Sequence, residues 1–82
     1  MKKAEQNTGG EMMSEDLGKA IKKLRNKEGL TQSELADKIG KTRGFIANLE
    51  GNIYNPSLDT LRDIAKALNV ETSHIFLLAE YR

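Results

Sequence analysis

Apolar residues recur along this chain at helical spacing. From Ser14 onward they lie three and four residues apart, and no segment alternates between apolar and polar as a strand does. The first helix is expected to take Ser14 as its N-cap and to end at Gly29. Its apolar stripe consists of Leu17, Ala20, Ile21 and Leu24.

Two short helices are predicted next, with almost no linker between them. Residues 31–34 read TQSE, a capping box in which Thr31 and Glu34 cap each other's backbone N–H groups. The following helix is expected to start after Thr42 and to end at Gly51. The inner faces of the two helices are apolar, at Leu35, Ala36 and Ile39 in the first and at Ile46 and Leu49 in the second.

The short connection between these helices predicts a sharp angle. Ala36 is small enough for a second helix to approach closely, and Gly40 tolerates the positive φ of a tight turn. Ile46 follows six residues after Gly40 and would fill the angle. This spacing predicts a helix-turn-helix, whose helices cross at about 90–120°. An ordinary helical hairpin is the alternative.

The rest of the chain predicts a loop and two more helices. Residues 52–56 are expected to form a loop, since the residue before Pro56 disfavours helix. Ser57 caps a fourth helix, and a fifth is expected at residues 72–78. The stripe of the fourth helix is Leu58, Leu61, Ile64, Ala65 and Leu68. The predicted fold class is therefore all-α, with five short helices around one core.

Length and composition fit one small domain. The chain has 82 residues and no cysteine, so its core must be hydrophobic, without a disulfide. Residues 1–13 are polar and without period, which predicts a disordered tail before a domain at residues 14–82. The N-terminus lacks the apolar run of a secretory signal, and the longest apolar runs are too short to span a membrane. A cytoplasmic protein is expected.

Charge is distributed unevenly along the chain. The net charge is only +1, but residues 17–30 carry five basic residues against one acidic residue, a balance of +4. A basic stripe on a helix can attract a polyanion, and the plainer interpretation is a solvated helix face. The basic residues Lys41 and Arg43 lie nearer to the predicted turn.

One face of the third helix is expected to point outward. With Ile46 and Leu49 inside, a rotation of about 100° per residue leaves four residues outside and Phe45 on the flank. The outward residues are Arg43, Gly44, Ala47 and Asn48. A helix fits the DNA major groove, where arginine reads guanine and asparagine reads adenine, each with about 1–3 kcal/mol of discrimination. The sequence therefore predicts DNA binding, and the expected cytoplasmic protein would be associated with the nucleoid when bound to DNA.

The chain resembles the lambda-repressor/Cro-like (XRE-type) helix-turn-helix family. TQSELADKIG and KTRGFIANLEGN carry the resemblance, with LGKAIKKLRNKEGL before them and NPSLDTLRDIAKALNV after them. It covers about residues 16–78 and includes the motif LR-x-x-x-GLTQ-x-x-LA. The resemblance implies a five-helix fold, binding of double-stranded DNA at a pseudo-palindromic operator as a homodimer, and no enzymatic activity. A repressor is favoured; restriction–modification controllers and antitoxins are alternatives within the family.

The resemblance also implies roles for individual residues. Gln32 would contact a DNA phosphate beside the backbone N–H groups that begin the second helix. Residues 52–55 would lie along the DNA backbone, and Arg25 would form a partly buried salt bridge with Glu50. The expected DNA-binding residues are Gln32, Lys41, Thr42, Arg43, Gly44, Phe45, Ala47, Asn48, Asn52 and Asn55.

Three positions depart from the family pattern. Gly44 leaves one reading position without a side chain. The family usually has a glycine two residues after the glutamate, whereas here Glu50 is followed by Gly51 and then Asn52. Asparagine is a residue type that can itself adopt the left-handed conformation. Phe45 is bulky, and its packing on the loop after the third helix is favoured over a contact with DNA.

The fifth helix is apolar on all sides and is hypothesised to form a two-fold interface. Such an interface would set two recognition helices about 34 Å apart, one turn of DNA. The interface residues expected are Ile75, Phe76, Leu78 and Tyr81.

The sequence offers no constellation typical of an enzyme. His74 is the only histidine, so neither a metal nor a cofactor is expected, and no Ser/His/Asp grouping or Gly-rich phosphate loop occurs. The alternative from another functional class is a protein-interaction module that has the fold without binding DNA. The balanced net charge and Gly44 give that alternative some weight, less than DNA binding has.

Overall fold

The computed structural model describes residues 10–80, with side-chain surroundings for residues 17–79. Five helices make up this part of the chain: α1 (Gly10–Lys27), α2 (Gln32–Ile39), α3 (Arg43–Glu50), α4 (Leu58–Ala67) and α5 (Thr72–Glu80). No strand occurs within residues 10–80. The predictions of an all-α fold and of five helices are confirmed.

Helix α1 begins earlier than predicted. It starts at Gly10, four residues before the expected cap at Ser14, so a disordered tail that extends to residue 13 is wrong for residues 10–13. Glutamate and methionine, which occupy residues 11–13, favour helix, and nothing there interrupts it. The remainder of the predicted tail, residues 1–9, lies outside the described residues.

Side-chain caps explain where α2, α3 and α4 begin. Thr31 accepts a hydrogen bond from the Glu34 N–H at 3.0 Å, and the Glu34 carboxylate accepts one from the Thr31 N–H at 2.8 Å. Thr42 caps α3 through the N–H of residue 45 at 3.1 Å, and Ser57 caps α4 through that of residue 60 at 3.2 Å. These caps confirm the capping box and the three predicted start positions.

The connection between α2 and α3 is a tight turn, as predicted. Gly40 adopts the left-handed conformation with φ 71°, and the N–H of Lys41 donates to the Ala36 carbonyl at 2.9 Å. These two features make the glycine C-cap that ends many helices. Ala36 and Ile46 are buried, so the small residue and the plug occupy the positions expected of a helix-turn-helix.

One hydrophobic core joins all five helices. Helix α1 packs against α5 and α3, α2 packs against α3 and α4, and α4 packs against α5. The largest fully buried side chains are Ile21, Leu35, Ile46, Leu49, Ile64, Leu68 and Ile75. Leu58 departs from its predicted place in the core, with 51% of its surface exposed. It is the first residue of α4, and the buried residues of this helix begin one turn later, at Leu61.

Helix α5 places its predicted interface residues on different faces. Ile75 and Ala79 are fully buried against the rest of the chain. The assignment of Ile75 to a dimer interface is therefore wrong, because this side chain fills the chain's own core. Phe76 and Leu78 are half-buried, Leu77 is 51% exposed, and Tyr81 lies outside the described residues.

The membrane-spanning capacity of the helices depends on their length and hydropathy. None of the described helices is both long enough and apolar enough to cross a bilayer.

Candidate nucleic-acid interface

Helix α3 has one buried face and one exposed face. Ile46 and Leu49 are fully buried, whereas Arg43, Gly44 and Asn48 are exposed and Ala47 is half-exposed. Lys41 and Thr42, just before the helix, are exposed as well. The helix therefore projects a polar face outward, and the predicted reading residues lie together on that face.

Gly44 is not required by packing at its position. A Cβ added there would meet only the Thr42 hydroxyl oxygen, at 3.9 Å, which is ordinary contact. Because Gly44 has no side chain, the helix backbone itself forms the outward surface of α3 at this point. A groove of DNA can approach the helix backbone more closely at Gly44 than at its neighbours.

A buried ion pair fixes the end of α3 to α1. The Arg25 guanidinium donates to both carboxylate oxygens of Glu50, at 2.6 and 3.0 Å, and to the Leu30 carbonyl at 2.7 Å. The side chains are only 9% and 4% exposed. The hydrogen bond to Glu50 raises the pKa of Arg25, as does the carboxylate charge, while burial lowers it. The geometry expected for this pair is confirmed.

Gln32 joins the same junction. Its side-chain amide donates to Oε1 of Glu50 at 3.1 Å, and the residue is half-buried at the first position of α2. Glu50 thereby connects α1, α2 and α3. The predicted phosphate contact of Gln32 must use the second amide hydrogen, since the first is given to Glu50.

Phe45 packs on the loop that joins α3 to α4. Its ring meets the ring of Tyr54 edge to face, with centroids 5.1 Å apart and planes at 67°. The Lys41 ammonium lies 5.3 Å from the Phe45 centroid on the ring face. The favoured packing of Phe45 on the loop is confirmed.

Asn52 has the backbone expected of it and an unexpected side-chain direction. Its φ of 60° confirms the left-handed conformation. The side-chain oxygen is buried and accepts no hydrogen bond from the described residues. It lies 2.5 Å from where a Cβ on Gly18 would stand. The side-chain oxygen therefore lies against α1, while the residue as a whole is half-exposed. The expected DNA contact of Asn52 stays a prediction.

Sequence reasoning missed the close approach of α1 to α3. A Cβ on Gly18 would also lie 2.8 Å from the carbonyl oxygens of both Leu49 and Glu50, closer than real Cβ contacts. Only glycine permits this contact. A glycine beside the apolar stripe of the first helix is visible in the sequence, but it does not show which element would approach it.

The loop after α3 also carries exposed apolar residues that were not singled out. Ile53 is 72% exposed and Tyr54 is 39% exposed, and Asn55 is exposed beside them. The N–H of Ile53 donates to the Asn48 carbonyl at 2.9 Å, so the loop begins directly at the end of the outward face. Within the part of the chain that the structure describes, no group of three His, Cys, Asp or Glu residues is placed to hold a metal.

Comparison with known proteins agrees with this geometry. The family model for the helix-turn-helix matches residues 21–75, from the middle of α1 to the first half of α5. The chain belongs to the XRE-type helix-turn-helix family. Its matched region is the DNA-binding domain of a transcriptional regulator.

Solved structures of helix-turn-helix regulators share the fold of this family member. The clp gene regulator ClgR from Corynebacterium glutamicum has a TM-score of 0.81 at 26% identity, over 83% of this chain and 72% of that chain. The wild-type restriction-modification controller protein C.Esp1396I has a TM-score of 0.75 at 31% identity, over 87% of this chain and 91% of that chain.

Curated relatives of this helix-turn-helix chain include repressors. The immunity repressor protein of Bacillus phage phi105 is 42% identical over 59 residues, or 72% of this chain. The competence pilus inhibition repressor of Acinetobacter baylyi is 43% identical over 65 residues, or 79% of this chain. The matched regions span 41% and 59% of these two relatives.

Proposed function

We propose that this chain is a transcriptional repressor that binds a pseudo-palindromic DNA operator as a homodimer. The observation that carries the proposal is the exposed polar face of α3, on which Arg43 and Asn48 stand above the buried Ile46 and Leu49. The repressor names of two relatives support the direction of regulation. The proposed protein acts in the cytoplasm on DNA and has no enzymatic activity.

In this proposal α3 enters the major groove and reads base edges. Arg43 donates two hydrogen bonds to a guanine, and Asn48 forms a donor and acceptor pair with an adenine. The two residues are five positions apart, about 7.5 Å along the helix axis at 1.5 Å per residue. That separation corresponds to roughly two base-pair steps of 3.4 Å. One half-site would therefore contain the two specified bases close together.

Contacts to phosphates orient the helix in the groove. Lys41 is exposed directly before α3, and Thr42 keeps a hydroxyl proton to donate although its oxygen accepts the cap hydrogen bond. Gln32 contributes the amide hydrogen that Glu50 leaves unused. Asn55 is exposed on the loop and would follow the DNA backbone. Contacts of this kind fix register and orientation and carry no base information.

The proposed dimer uses the exposed side of α5. Leu77 is 51% exposed between the half-buried Phe76 and Leu78, although Ile75 and Ala79 hold the helix on the core. A second copy of this surface would cover these three side chains. Such an interface pairs the same surface on both protomers, which suits an inverted-repeat operator.

Selection of bound sequences from a random duplex pool tests the proposal. We expect enrichment of an inverted repeat whose half-site contains a guanine and an adenine. The lack of any enriched sequence, with the protein shown to be folded, would contradict sequence-specific binding. Enrichment of a single half-site without a repeat would contradict the dimeric arrangement alone.

Three other functions remain as alternatives. A restriction–modification controller is favoured among them by the structural match, which covers 91% of C.Esp1396I; an antitoxin is the other member of the same class. A protein-interaction module without DNA binding is the alternative from another class. Affinity for random duplex DNA that falls steeply with salt would exclude that module, because phosphate contacts produce such a slope.

A further inference from the structure

An aromatic row lies along the flank of α3, beside the proposed reading face. It consists of Lys41, Phe45 and Tyr54, which come from the α2–α3 turn, from α3 and from the α3–α4 loop. Phe45 is the central member and is half-buried. Its backbone N–H donates a hydrogen bond to the Thr42 hydroxyl oxygen that caps α3, which fixes the backbone of Phe45 at the start of this helix.

The charged end of the row is held without an acidic partner. The Lys41 ammonium stands 5.3 Å from the centroid of the Phe45 ring, within the range of a cation–π contact. The ion pairs of the described residues are Arg25–Glu50 and Arg62–Asp59, and neither involves Lys41. The ring therefore orients this charge without neutralising it.

The other end of the row fixes the ring. Tyr54 meets Phe45 edge to face at 5.1 Å, an arrangement that aromatic pairs favour. Tyr54 belongs to the loop that begins where the exposed face of α3 ends. Tyr54 holds the Phe45 ring in place, and the ring in turn contacts the Lys41 ammonium. This restricts the lysine side chain, which has four rotatable bonds and would otherwise sample many rotamers in water.

We propose that Phe45 is a positioning residue that holds the Lys41 ammonium ready for a DNA phosphate at the start of α3. This inference rests on the proposed DNA-binding function and adds the residue on which one phosphate contact depends. Phe45 itself touches neither base nor phosphate in this arrangement. Because the Phe45 ring already restricts the Lys41 side chain in the free protein, Lys41 loses less conformational freedom when it binds a phosphate. A smaller loss of conformational freedom on binding means a higher affinity.

A double-mutant cycle on DNA affinity tests the inference. Phe45→Leu retains an apolar side chain without the ring, and Lys41→Gln retains length without the charge. Affinity for a random duplex would be measured by fluorescence anisotropy over a series of KCl concentrations. Phe45→Tyr is the conservative variant, and Lys66→Gln is the matched charge control, on α4, which packs against α2 and α5.

We expect Lys41→Gln to weaken binding and to lower the salt slope by about 0.9 per bound chain, the value for one phosphate contact. Phe45→Leu should weaken binding about two- to fivefold, the range of an exposed cation–π contact. The same substitution should cause no further loss in the Lys41→Gln background. Phe45→Tyr keeps the ring and should therefore keep the coupling to Lys41→Gln in the cycle. Lys66→Gln should leave both affinity and slope unchanged.

The outcomes separate this inference from the proposed function. If the wild-type chain binds DNA but the losses from Phe45→Leu and Lys41→Gln multiply, or Phe45→Leu has no effect, the inference is overturned and the proposed function stands. If the wild-type chain binds neither a random duplex nor a selected operator, both are overturned.

A measurement on the free wild-type protein does not depend on how well the variants fold. The methylene protons next to the Lys41 ammonium should show an upfield NMR shift from the Phe45 ring current. That shift should disappear in Phe45→Leu when this variant is folded. Ordinary solvent-exposed lysine shifts in the wild type would overturn the inference.

Discussion

At the scale of single residues, the structure separates side chains that face solvent from side chains that hold the fold. Arg43 and Asn48 are exposed on α3 and touch none of the core, whereas Arg25 and Glu50 are almost fully buried. The free-energy consequences of substitution should differ accordingly. Substitutions at the exposed positions of α3 should change the recognition of DNA, and substitutions at the buried positions should change the free energy of unfolding.

The first residue-scale prediction concerns base recognition by α3. Arg43→Ala should leave the unfolding transition unchanged and should relax preference at one base pair, at a cost of about 1–3 kcal/mol for the preferred base. Repeated selection from a random pool measures the change. Gln32→Ala provides the contrast, since loss of a phosphate contact should weaken all sequences alike. An unchanged half-site in Arg43→Ala would contradict the assigned reading role.

The second residue-scale prediction concerns the buried ion pair. Glu50→Ala leaves the Arg25 charge without its carboxylate, which should lower the free energy of unfolding by about 3–5 kcal/mol. Urea denaturation measures this difference. Arg62→Ala is the matched control because its pair with Asp59, at 3.7 Å, is exposed; its loss should cost less than about 1 kcal/mol. Equal effects of both substitutions would mean that the Arg25–Glu50 pair is solvated.

At the scale of helices, the connections between neighbours depend on very small residues. Gly40 provides the left-handed turn between α2 and α3, and Gly18 allows the end of α3 to lie against α1. The first of these was visible in the sequence, because a capping box and a glycine mark a helix locally. The second was not, because it depends on where α3 ends in space.

Other features of the helices show the same division between local and tertiary causes. The starts of α2, α3 and α4 follow from their caps and were predictable. The burial of Ile75 was not, because residues 75–78 form a run that is apolar on all sides, and packing against α1 and α4 selects the buried face. The inward turn of Asn52 likewise depends on α1.

The helix-scale prediction compares two glycines. Gly18→Ala should lower the free energy of unfolding by about 1–3 kcal/mol, because its Cβ would press on the Leu49 and Glu50 carbonyls at 2.8 Å. Gly44→Ala, with open space around it, should instead raise stability by up to about 1 kcal/mol. Thermal unfolding of the two variants measures both effects. Similar melting temperatures for the two would contradict the close contact of α1 with α3.

At the scale of the whole molecule, the large apolar side chains that stay exposed among the described residues lie at three places. Leu77 on α5 and Leu58 at the start of α4 are each 51% exposed, and Ile53 and Tyr54 lie near the proposed DNA-binding face. The proposed dimer covers only the α5 site. Leu58 and Leu77 therefore form a matched pair in residue type and exposure.

The molecule-scale prediction uses this pair. Leu77→Asp should weaken dimerisation at least tenfold, since a two-fold interface would bury the introduced charge twice and lose two leucine contacts. Leu58→Asp should leave the dimer unchanged. Sedimentation equilibrium at increasing protein concentration measures the dissociation constants. A monomer at high micromolar concentration in the wild-type chain would contradict the dimer, and equal effects of both variants would contradict its location on α5.

The two faces of α3 have an evolutionary consequence. Because Arg43, Gly44 and Asn48 contribute nothing to the core, each can be exchanged without a compensating change among Ile46, Leu49 and their neighbours. A duplicated copy of this chain can therefore acquire a different operator by a few substitutions while it keeps its fold. New regulators would then arise by a change of the DNA sequence that the same fold recognises, without the evolution of a new fold.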